Sequence, residues 1–493
     1  MYKRSRLPIA NFRHPNQTIG KFTQKELGAT TKHPARNQIR EKPNPPNTQS
    51  AMATTSAPSS TLPQGTIPAA AKAALEQAVR GTGTELVFPE AGAAYSALIA
   101  RWSATCERRA AAIALPATEA DVQAVVGALR SARVPFVVAG GRHSTSLSSA
   151  VQDGVVLDLR RMRAVAVDAA RKTVAVQGGA VWEDVDVEAG KHGLATVGGT
   201  VNHTGVGGLI LGGGWGWLSA KYGLTIDNLL SVRIVLADGR AVTASKDENA
   251  DLFWGVRGAG QCFGVVTEFV LQAYDQGPVF AGLVAFTPDK LAKIVEFSNW
   301  HHANNDGTQV MSFGFSQPPG APVVAVLVAM FYDGPEEKAK KYFAPLLESE
   351  PLMNHTGIIP YDQVNAMLNS AATWGGRKIF GGSNVVLPLD TKVVQSIYDE
   401  FSQFTMGNEK MGESLVLFEL VSFKKIASVP MSETACGNRG EYYNVGTLFK
   451  WYDEKQDQMV REFNRKLNRR IREEAGVKKS SGVGVYSNYL CKF

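Results

Sequence analysis

The chain has 493 residues, 44% of them hydrophobic and 20% charged, which is enough for two or more globular cores. Its formal net charge of +7 comes from one end, because residues 1–51 carry a net charge of +8 and residues 52–493 a net charge of −1. The near-neutral charge of residues 52–493 argues against nucleic-acid binding as the main function, since such binding depends on clustered Lys and Arg.

The N-terminal residues 1–65 are rich in Pro, Asn, Ser, Thr and basic residues, and we predict that they are disordered, with a transit peptide as the alternative. The chain shows no apolar N-terminal segment and no run of about 18 apolar residues, so we expect no membrane association and favour a cytoplasmic location. The four cysteines form no C-x-x-C pair, and we predict neither a disulfide framework nor a metal site. The oligomeric state is left open.

Residues 66–275 mix helical and strand patterns, and we interpret them as one domain. Thr118 and Asp121 resemble a capping box at the start of a helix. Asp238-Gly239 is a favourable turn for a hairpin. The strands predicted in this region are 136–139, 155–159, 173–177, 232–237, 240–245 and 263–271.

Residues 276–450 show a different sequence pattern, in which predicted strands alternate with predicted helices. The predicted strands are 323–332 and 415–421, and the predicted helices are 336–347 and 391–404. This pattern indicates a second domain, an antiparallel sheet with helices on one face that covers the first domain. Residues 451–493 begin with a charged helix, predicted at 452–474, and form a C-terminal segment.

Glycine is concentrated in two places, residues 140–144 (GGRHS) and residues 198–216, where nine of nineteen residues are glycine. Such a density indicates a backbone that closely approaches a phosphate-rich ligand. A Rossmann fingerprint is excluded, because no G-x-G-x-x-G spacing fits at Gly205, Gly212 or Gly258. The segments therefore indicate a nucleotide cofactor bound in another way.

Four separated segments carry a family resemblance. They are GGRHS at 140–144, GVVLDLRRM at 154–162, the glycine-rich run 204–239, and DLFWGVRGAGQCFGVVTEF at 251–269. In this order they resemble the fungal branch of the berberine-bridge-enzyme-like oxidases, over most of residues 85–490. The resemblance implies an α+β fold: a two-part FAD-binding domain of the vanillyl-alcohol-oxidase type at 66–275, a substrate domain at 276–450, and a segment at 451–493 that returns to the FAD domain.

The resemblance also implies FAD as the cofactor, bonded covalently through His143 to the 8α-methyl group of the flavin. A second covalent bond is not expected, because Val201 stands where bicovalent members carry a cysteine. The residues that the resemblance places around FAD are Gly140, Gly141, Arg142, His143, Ser144, Thr204, Gly205, Gly207, Gly208, Asp227, Asn228, Gly260, Gly264, Val265 and Val266.

The activity implied is oxidation of a small organic substrate in secondary metabolism, with a hydride passing from a C–H bond to flavin N5. The resemblance places Thr204 beside the flavin, at a position where a bulky side chain restricts oxygen access in the family. Because threonine is compact, we expect O2 as the final acceptor and hydrogen peroxide as a product. A flavin dehydrogenase with another acceptor and a flavin-binding protein without turnover are the alternatives. The sequence does not identify the substrate.

Candidate catalytic residues are Tyr486 and Tyr489, which match the family's Y-x-N-Y element, and Lys425. A phenol with a pKa of about 10 is a poor base at neutral pH, so we expect a neighbouring cation, Lys424 or Lys425, to lower that pKa. The glutamate base of the plant members has no clear counterpart in residues 420–433. Since the chain ends soon after Tyr489, we expect its C-terminus to be truncated relative to the family.

Overall fold

The computed structural model describes residues 65–317, 321–408, 410–477 and 485–489. Apart from Gly65, the predicted disordered tail lies outside the described residues, as does the chain end after Tyr489. Among the described helices, none has the length and apolar character needed to cross a membrane.

Helices and strands occur along the whole described chain. The helices are α1 (Ala69–Ala78), α2 (Ala93–Ile99), α3 (Glu119–Ser131), α4 (Trp182–Gly190), α5 (Val206–Leu211), α6 (Ser219–Tyr222), α7 (Ala250–Ala259), α8 (Leu291–Asn304), α9 (Glu336–Leu347), α10 (Thr391–Met406), α11 (Lys424–Ala427) and α12 (Asp457–Ala475). The strands are β1 (Glu85–Val87), β2 (Ala112–Leu115), β3 (Phe136–Ala139), β4 (Val155–Asp158), β5 (Val165–Asp168), β6 (Thr173–Gln177), β7 (Leu194–Thr196), β8 (Leu229–Leu236), β9 (Ala241–Ser245), β10 (Gly264–Asp275), β11 (Val279–Phe286), β12 (Gln309–Ser316), β13 (Ala325–Tyr332), β14 (Met353–Ile359), β15 (Arg377–Val385), β16 (Leu415–Leu420) and β17 (Tyr443–Trp451).

The first sheet has four strands in the order β1-β2-β4-β3, and its last three strands are parallel. Helix α3 starts at the predicted capping box: Thr118 Oγ1 accepts from Asp121 N at 3.2 Å, and Asp121 Oδ2 accepts from Thr118 N at 3.1 Å. Strand β3 ends at Ala139, and the loop 140–144 follows it directly. This sheet therefore positions the loop that contains His143.

The second sheet has the order β5-β6-β10-β8-β9, with β7 also paired to β10, and its pairs are antiparallel. β10 ends at Asp275, and β11, which begins at Val279, belongs to the third sheet. A shared core joins the second and third sheets, because Phe269 of β10 and Phe331 of β13 are buried in the same apolar cluster. Tyr486 of the C-terminal segment is buried in that cluster too.

The third sheet has seven antiparallel strands in the order β14-β11-β13-β12-β16-β17-β15. Helices α8, α9, α10 and α12 pack on one of its faces through a second apolar cluster, which includes Phe313, Phe401 and Phe418. Side chains alternate between the two faces of a strand, so Glu419 lies on the face opposite to Phe418. That opposite face is free of the four helices and forms part of the site described below.

The predicted mixture of helices and sheets is confirmed, including an antiparallel sheet with helices on one face. Helix α9 has the predicted bounds, and α10 and β16 end within two residues of the predicted ends. Strands β11, β12, β15 and β17 were missed from the sequence. Most of their residues are buried, and all four contain glycine, which weakens the strand pattern.

Candidate functional site

Two glycine-containing loops meet backbone to backbone. The first is residues 140–144, and the second is residues 204–208, which include the first turn of α5. A Cβ atom on Gly141 would lie 2.2 Å from the backbone nitrogen of Gly205, and one on Gly205 would lie 2.4 Å from that of Gly141. No side chain fits at such a distance, so the contact requires glycine in both loops.

His143 lies beside this contact, in a group of aromatic rings. Its Nε2 is 2.7 Å from Nδ1 of His203. Trp102 stacks on its ring with centroids 4.9 Å apart and planes at 15°, and Trp374 meets it edge-on at 5.8 Å. Arg142, directly before it, has a φ of 59°, a conformation that costs a residue with a side chain about 1–2 kcal/mol and is typical of functional loops.

Basic groups dominate this part of the site. Lys378 of β15 is buried, with its Nζ 4.7 Å from the Trp102 ring centroid and 2.7 Å from the Trp102 carbonyl oxygen. Burial lowers the pKa of Lys378 to about 7. Burial, with further contributions from His203, Lys378 and Arg142, lowers the pKa of His143 well below its usual range. His143 is therefore a neutral imidazole at pH 7, and one nitrogen retains a lone pair.

The donors of the first loop fit an anionic ligand. The backbone N–H groups of Gly141, Arg142 and His143 find no acceptor among the described residues, and Arg142 Nε is buried without a partner there. Successive free N–H groups beside a guanidinium suit a phosphate group. The loop therefore fits the diphosphate of FAD, and His143 fits the attachment point that the resemblance implies.

We expect Gly141→Ala to push the two loops apart and to destabilise the protein by about 1–3 kcal/mol, with loss of bound FAD. Thermal unfolding and the flavin absorbance of purified protein measure both effects. Gly127→Ala in α3 is the matched control, because a Cβ there meets no atom within 4 Å. A Gly141→Ala protein with the wild-type melting temperature and flavin content would contradict this role of the contact.

The second part of the site contains a buried carboxyl group. Glu419 lies on β16 opposite Asn444 of β17. Its Oε1 accepts a hydrogen bond of 2.7 Å from the Tyr489 hydroxyl, and its Oε2 is buried with no partner among the described residues. Burial raises the pKa of Glu419 well above its usual range, while the hydrogen bond from Tyr489 opposes the shift. This carboxyl group is therefore harder to ionise than that of an exposed glutamate.

A small pocket lies against Glu419. Its apolar walls come from Trp215, Leu224, Phe423 and Tyr442, and its polar groups include Asn438 and Asn444. An apolar pocket with few convergent polar groups is the usual form of a small-molecule site.

Packed rings connect the pocket to His143. Tyr489, which donates to Glu419, contacts Phe380 with ring centroids 4.4 Å apart. Phe380 packs against the cluster that contains Trp102, and Trp102 stacks on His143. A chain of packed side chains thus links the basic part and the acidic part of the site.

Tyr486 is buried and anchors the C-terminal segment to the glycine-rich run. Its hydroxyl accepts from the backbone of Gly214 at 3.1 Å and from Asn488 Nδ2 at 2.8 Å. Asn488 Nδ2 also donates to the Leu209 carbonyl oxygen at 3.1 Å. Tyr486 and Tyr489 come together, with ring centroids 4.9 Å apart.

Lys425 does not join the two tyrosines. It is exposed on α11, and no contact among the described residues links it to either ring. The expectation that a lysine lowers a tyrosine pKa is corrected. Burial and the neighbouring Glu419 raise the pKa of Tyr489 well above its usual range, and burial also raises the pKa of Tyr486.

Asp227 and Asn228 make contacts within the protein. Arg439 forms a two-pronged ion pair with Asp227, at 2.5 and 3.0 Å, and both side chains are buried. Asn228 donates to the carbonyl oxygen of Leu224 at 2.8 Å and accepts from the Tyr274 hydroxyl at 2.6 Å. Their predicted contact with FAD stays a prediction.

The remaining predicted FAD residues fall into two groups. Gly140, Ser144, Thr204, Gly207 and Gly208 lie in the two loops or at the start of α5. Gly260, Gly264, Val265 and Val266 lie in the turn before β10 or in its first residues. A Cβ on Gly264 would lie 2.3 Å from the Val235 carbonyl oxygen, so this glycine accommodates the neighbouring strand. Contact of either group with FAD stays a prediction.

Sequence reasoning missed Glu419, His203, Lys378 and Trp102. Glu419 stands one residue before the segment 420–433 that was compared with the plant glutamate, and its β-strand alternation was the available signal. His203 lies within the glycine-rich run next to Thr204, and this position was the signal available for it. Lys378 and Trp102 reach the site only through tertiary packing, for which the sequence gives no local signal.

The chain is similar to known FAD-binding proteins. A family described as FAD binding domain matches residues 110–245. The FAD-linked oxidoreductase pgmH of Aspergillus terreus is 35% identical over 414 residues, which cover 82% of this chain and 84% of that protein.

Two solved structures share the fold. 6-Hydroxy-D-nicotine oxidase from Arthrobacter nicotinovorans has a TM-score of 0.71 at 26% identity, covering 83% of this chain and 89% of its own. A variant of berberine bridge enzyme has a TM-score of 0.72 at 16% identity, covering 85% of this chain and 88% of its own. The resemblance seen in the sequence is thereby confirmed. The chain is an FAD-binding enzyme that belongs to the family of FAD-linked oxidoreductases, with the fold of the berberine-bridge-enzyme-like proteins.

Proposed function

We propose that the enzyme is an oxidase that removes hydrogen from a C–H bond of a small organic substrate, with FAD attached covalently to His143 and O2 as the final acceptor. The observation that carries the proposal is the carboxyl group of Glu419. It is buried beside an apolar pocket and has one oxygen held by Tyr489 and the other without a partner among the described residues. Such a group in a pocket is a candidate base.

The residues divide the work between binding and proton transfer. Trp215, Phe423 and Tyr442 bind the apolar part of the substrate. Ionised Glu419 accepts the substrate proton at Oε2, while Tyr489 donates to Oε1 and fixes the orientation of the carboxylate. Tyr486 holds Tyr489 in place through their ring contact and through its bond to Gly214.

The other end of the site holds the cofactor. FAD supplies the two-electron acceptor, and its reoxidation by O2 yields hydrogen peroxide. The N–H groups of the 140–144 loop bind its diphosphate, and neutral His143 provides the nitrogen for the covalent bond. Thr204, which is compact and partly buried in the second loop, leaves room for O2.

Acid-denatured wild-type protein should remain fluorescent on a gel, and His143→Ala should lose that fluorescence while it still binds FAD under native conditions. His192→Ala is the control, since His192 is exposed in the turn after α4. Wild-type protein whose FAD is released completely by acid would contradict the covalent link.

The oxidase assignment is tested with a panel of small alcohols, amines and phenols. We expect peroxide to form in air in proportion to the substrate consumed. A flavin that substrate reduces rapidly and that stays reduced in air would identify a dehydrogenase with another acceptor. A flavin that no substrate reduces would support a binding protein without turnover.

A further inference from the structure

His203 forms a hydrogen bond with one ring nitrogen of His143. The distance of 2.7 Å from Nε2 of His143 to Nδ1 of His203 is that of a strong hydrogen bond, and the ring centroids are 4.7 Å apart. Among the described residues, no carboxylate bonds to either ring. One imidazole therefore donates its N–H to the lone pair of the other.

This contact distinguishes the two nitrogens of His143. Nε2 is blocked by His203, Trp102 covers one face of the ring, and Trp374 meets it edge-on. Nδ1 has no partner among the described residues and is left to form a bond with a ligand. Bond formation at Nδ1 requires that the proton on the other nitrogen leave, or the ring becomes a buried cation.

We propose that His203 is the positioning residue and proton acceptor for the attachment of FAD to His143, an inference that rests on the proposed covalent link. A bond forms between Nδ1 of His143 and the 8α carbon of FAD, and that carbon gives up one proton. The Nε2 proton of His143 moves to Nδ1 of His203. The two electrons released enter the flavin, and O2 takes them up with the two protons to form hydrogen peroxide.

Burial and the charges around the pair keep both rings neutral. Burial lowers the pKa of His203, and Lys378 acts in the same direction, while its own backbone and Glu183 oppose the shift. The pKa of His143 is lowered by burial, His203, Lys378 and Arg142. Both rings are therefore neutral near pH 7, so His203 has a lone pair to accept the proton.

The test follows the covalent link itself, separately from turnover. Protein expressed with limiting flavin is mixed with FAD in air, and the acid-stable fraction of FAD is followed with time beside the total FAD bound. His203→Ala should bind FAD and form the link about 10²-fold more slowly or worse. Free imidazole should accelerate the link in His203→Ala, because His203 is only partly buried and its removal leaves a space open to solvent. His192→Ala should react like the wild type.

His203→Asn separates proton transfer from orientation. Its amide oxygen can accept the hydrogen bond from His143 but is not basic, so we expect slow linkage that imidazole does not restore. Linkage at the wild-type rate in His203→Ala or in His203→Asn would overturn the proposal. If His203→Ala binds no FAD, the rate in His203→Asn decides. Wild-type protein that never forms acid-stable FAD would instead refute the covalent link proposed above.

Discussion

Glu419→Gln is expected to lower kcat by about 10²–10⁴-fold, because the amide cannot accept the substrate proton. The variant should still bind FAD and fold, since glutamine has the same shape and can accept the Tyr489 hydrogen bond. In the wild type, activity should rise with pH as the carboxyl ionises. Because burial raises the pKa of Glu419, this rise in activity should occur at a pH well above the ordinary glutamate pKa of about 4.3.

The measurement is kcat and kcat/KM against pH, with the same substrate for wild type and variant. Asp186→Asn is the matched control: Asp186 is another buried carboxyl whose pKa is raised, to about 8, and it accepts a hydrogen bond from Asn365 and does not line the pocket. Asp186→Asn should show the same rise of kcat and kcat/KM with pH on the acid side as the wild type. Wild-type turnover in Glu419→Gln, or an unchanged acid limb, would remove Glu419 from the chemistry.

Arg439→Met is expected to lower the free energy of unfolding by about 3–5 kcal/mol, because it leaves the Asp227 carboxylate buried without its partner. Denaturant unfolding of the FAD-free protein measures this loss. The double variant Asp227→Leu/Arg439→Met should recover much of it, since no charge is then stranded.

Arg163→Met is the control, because Arg163 and Asp184 form a similar two-pronged pair near the surface. Each aspartate also accepts a backbone N–H three residues before it, so the main difference is burial. Loss of this exposed pair in Arg163→Met should lower the free energy of unfolding by only about 0–1 kcal/mol. Unchanged stability in Arg439→Met with loss of bound FAD would show that Asp227 serves the cofactor instead.

Much of the fold was predictable because its signals are local. The capping residue Thr118, the helical periodicity of α9 and the Asp238-Gly239 turn are short-range patterns that tertiary contacts did not override. Strands such as β15 and β17 gave weaker signals, because they are buried on both faces or contain glycine. Their existence depends on pairing with partners far away in sequence.

The site was predictable to the extent that it resides in contiguous motifs. GGRHS was found because His143 and its glycines are adjacent in the chain. Glu419 and Tyr489 are 70 positions apart and meet only when β16 and the C-terminal segment come together. The sequence predicted a basic neighbour that lowers the pKa of Tyr489. That prediction was wrong, because the ionisable group bonded to Tyr489 is the Glu419 carboxyl, which raises this pKa.

The seven-stranded sheet has a consequence for how this enzyme can diverge. Glu419 and Asn444 point to the pocket, whereas their chain neighbours Phe418 and Val445 point into the helix-covered core. Substitutions at the pocket-facing positions can therefore change substrate specificity, while the core-facing residues between them keep the sheet folded. A scaffold with this division is well suited to acquiring new metabolic roles after gene duplication, with its redox centre carried over unaltered.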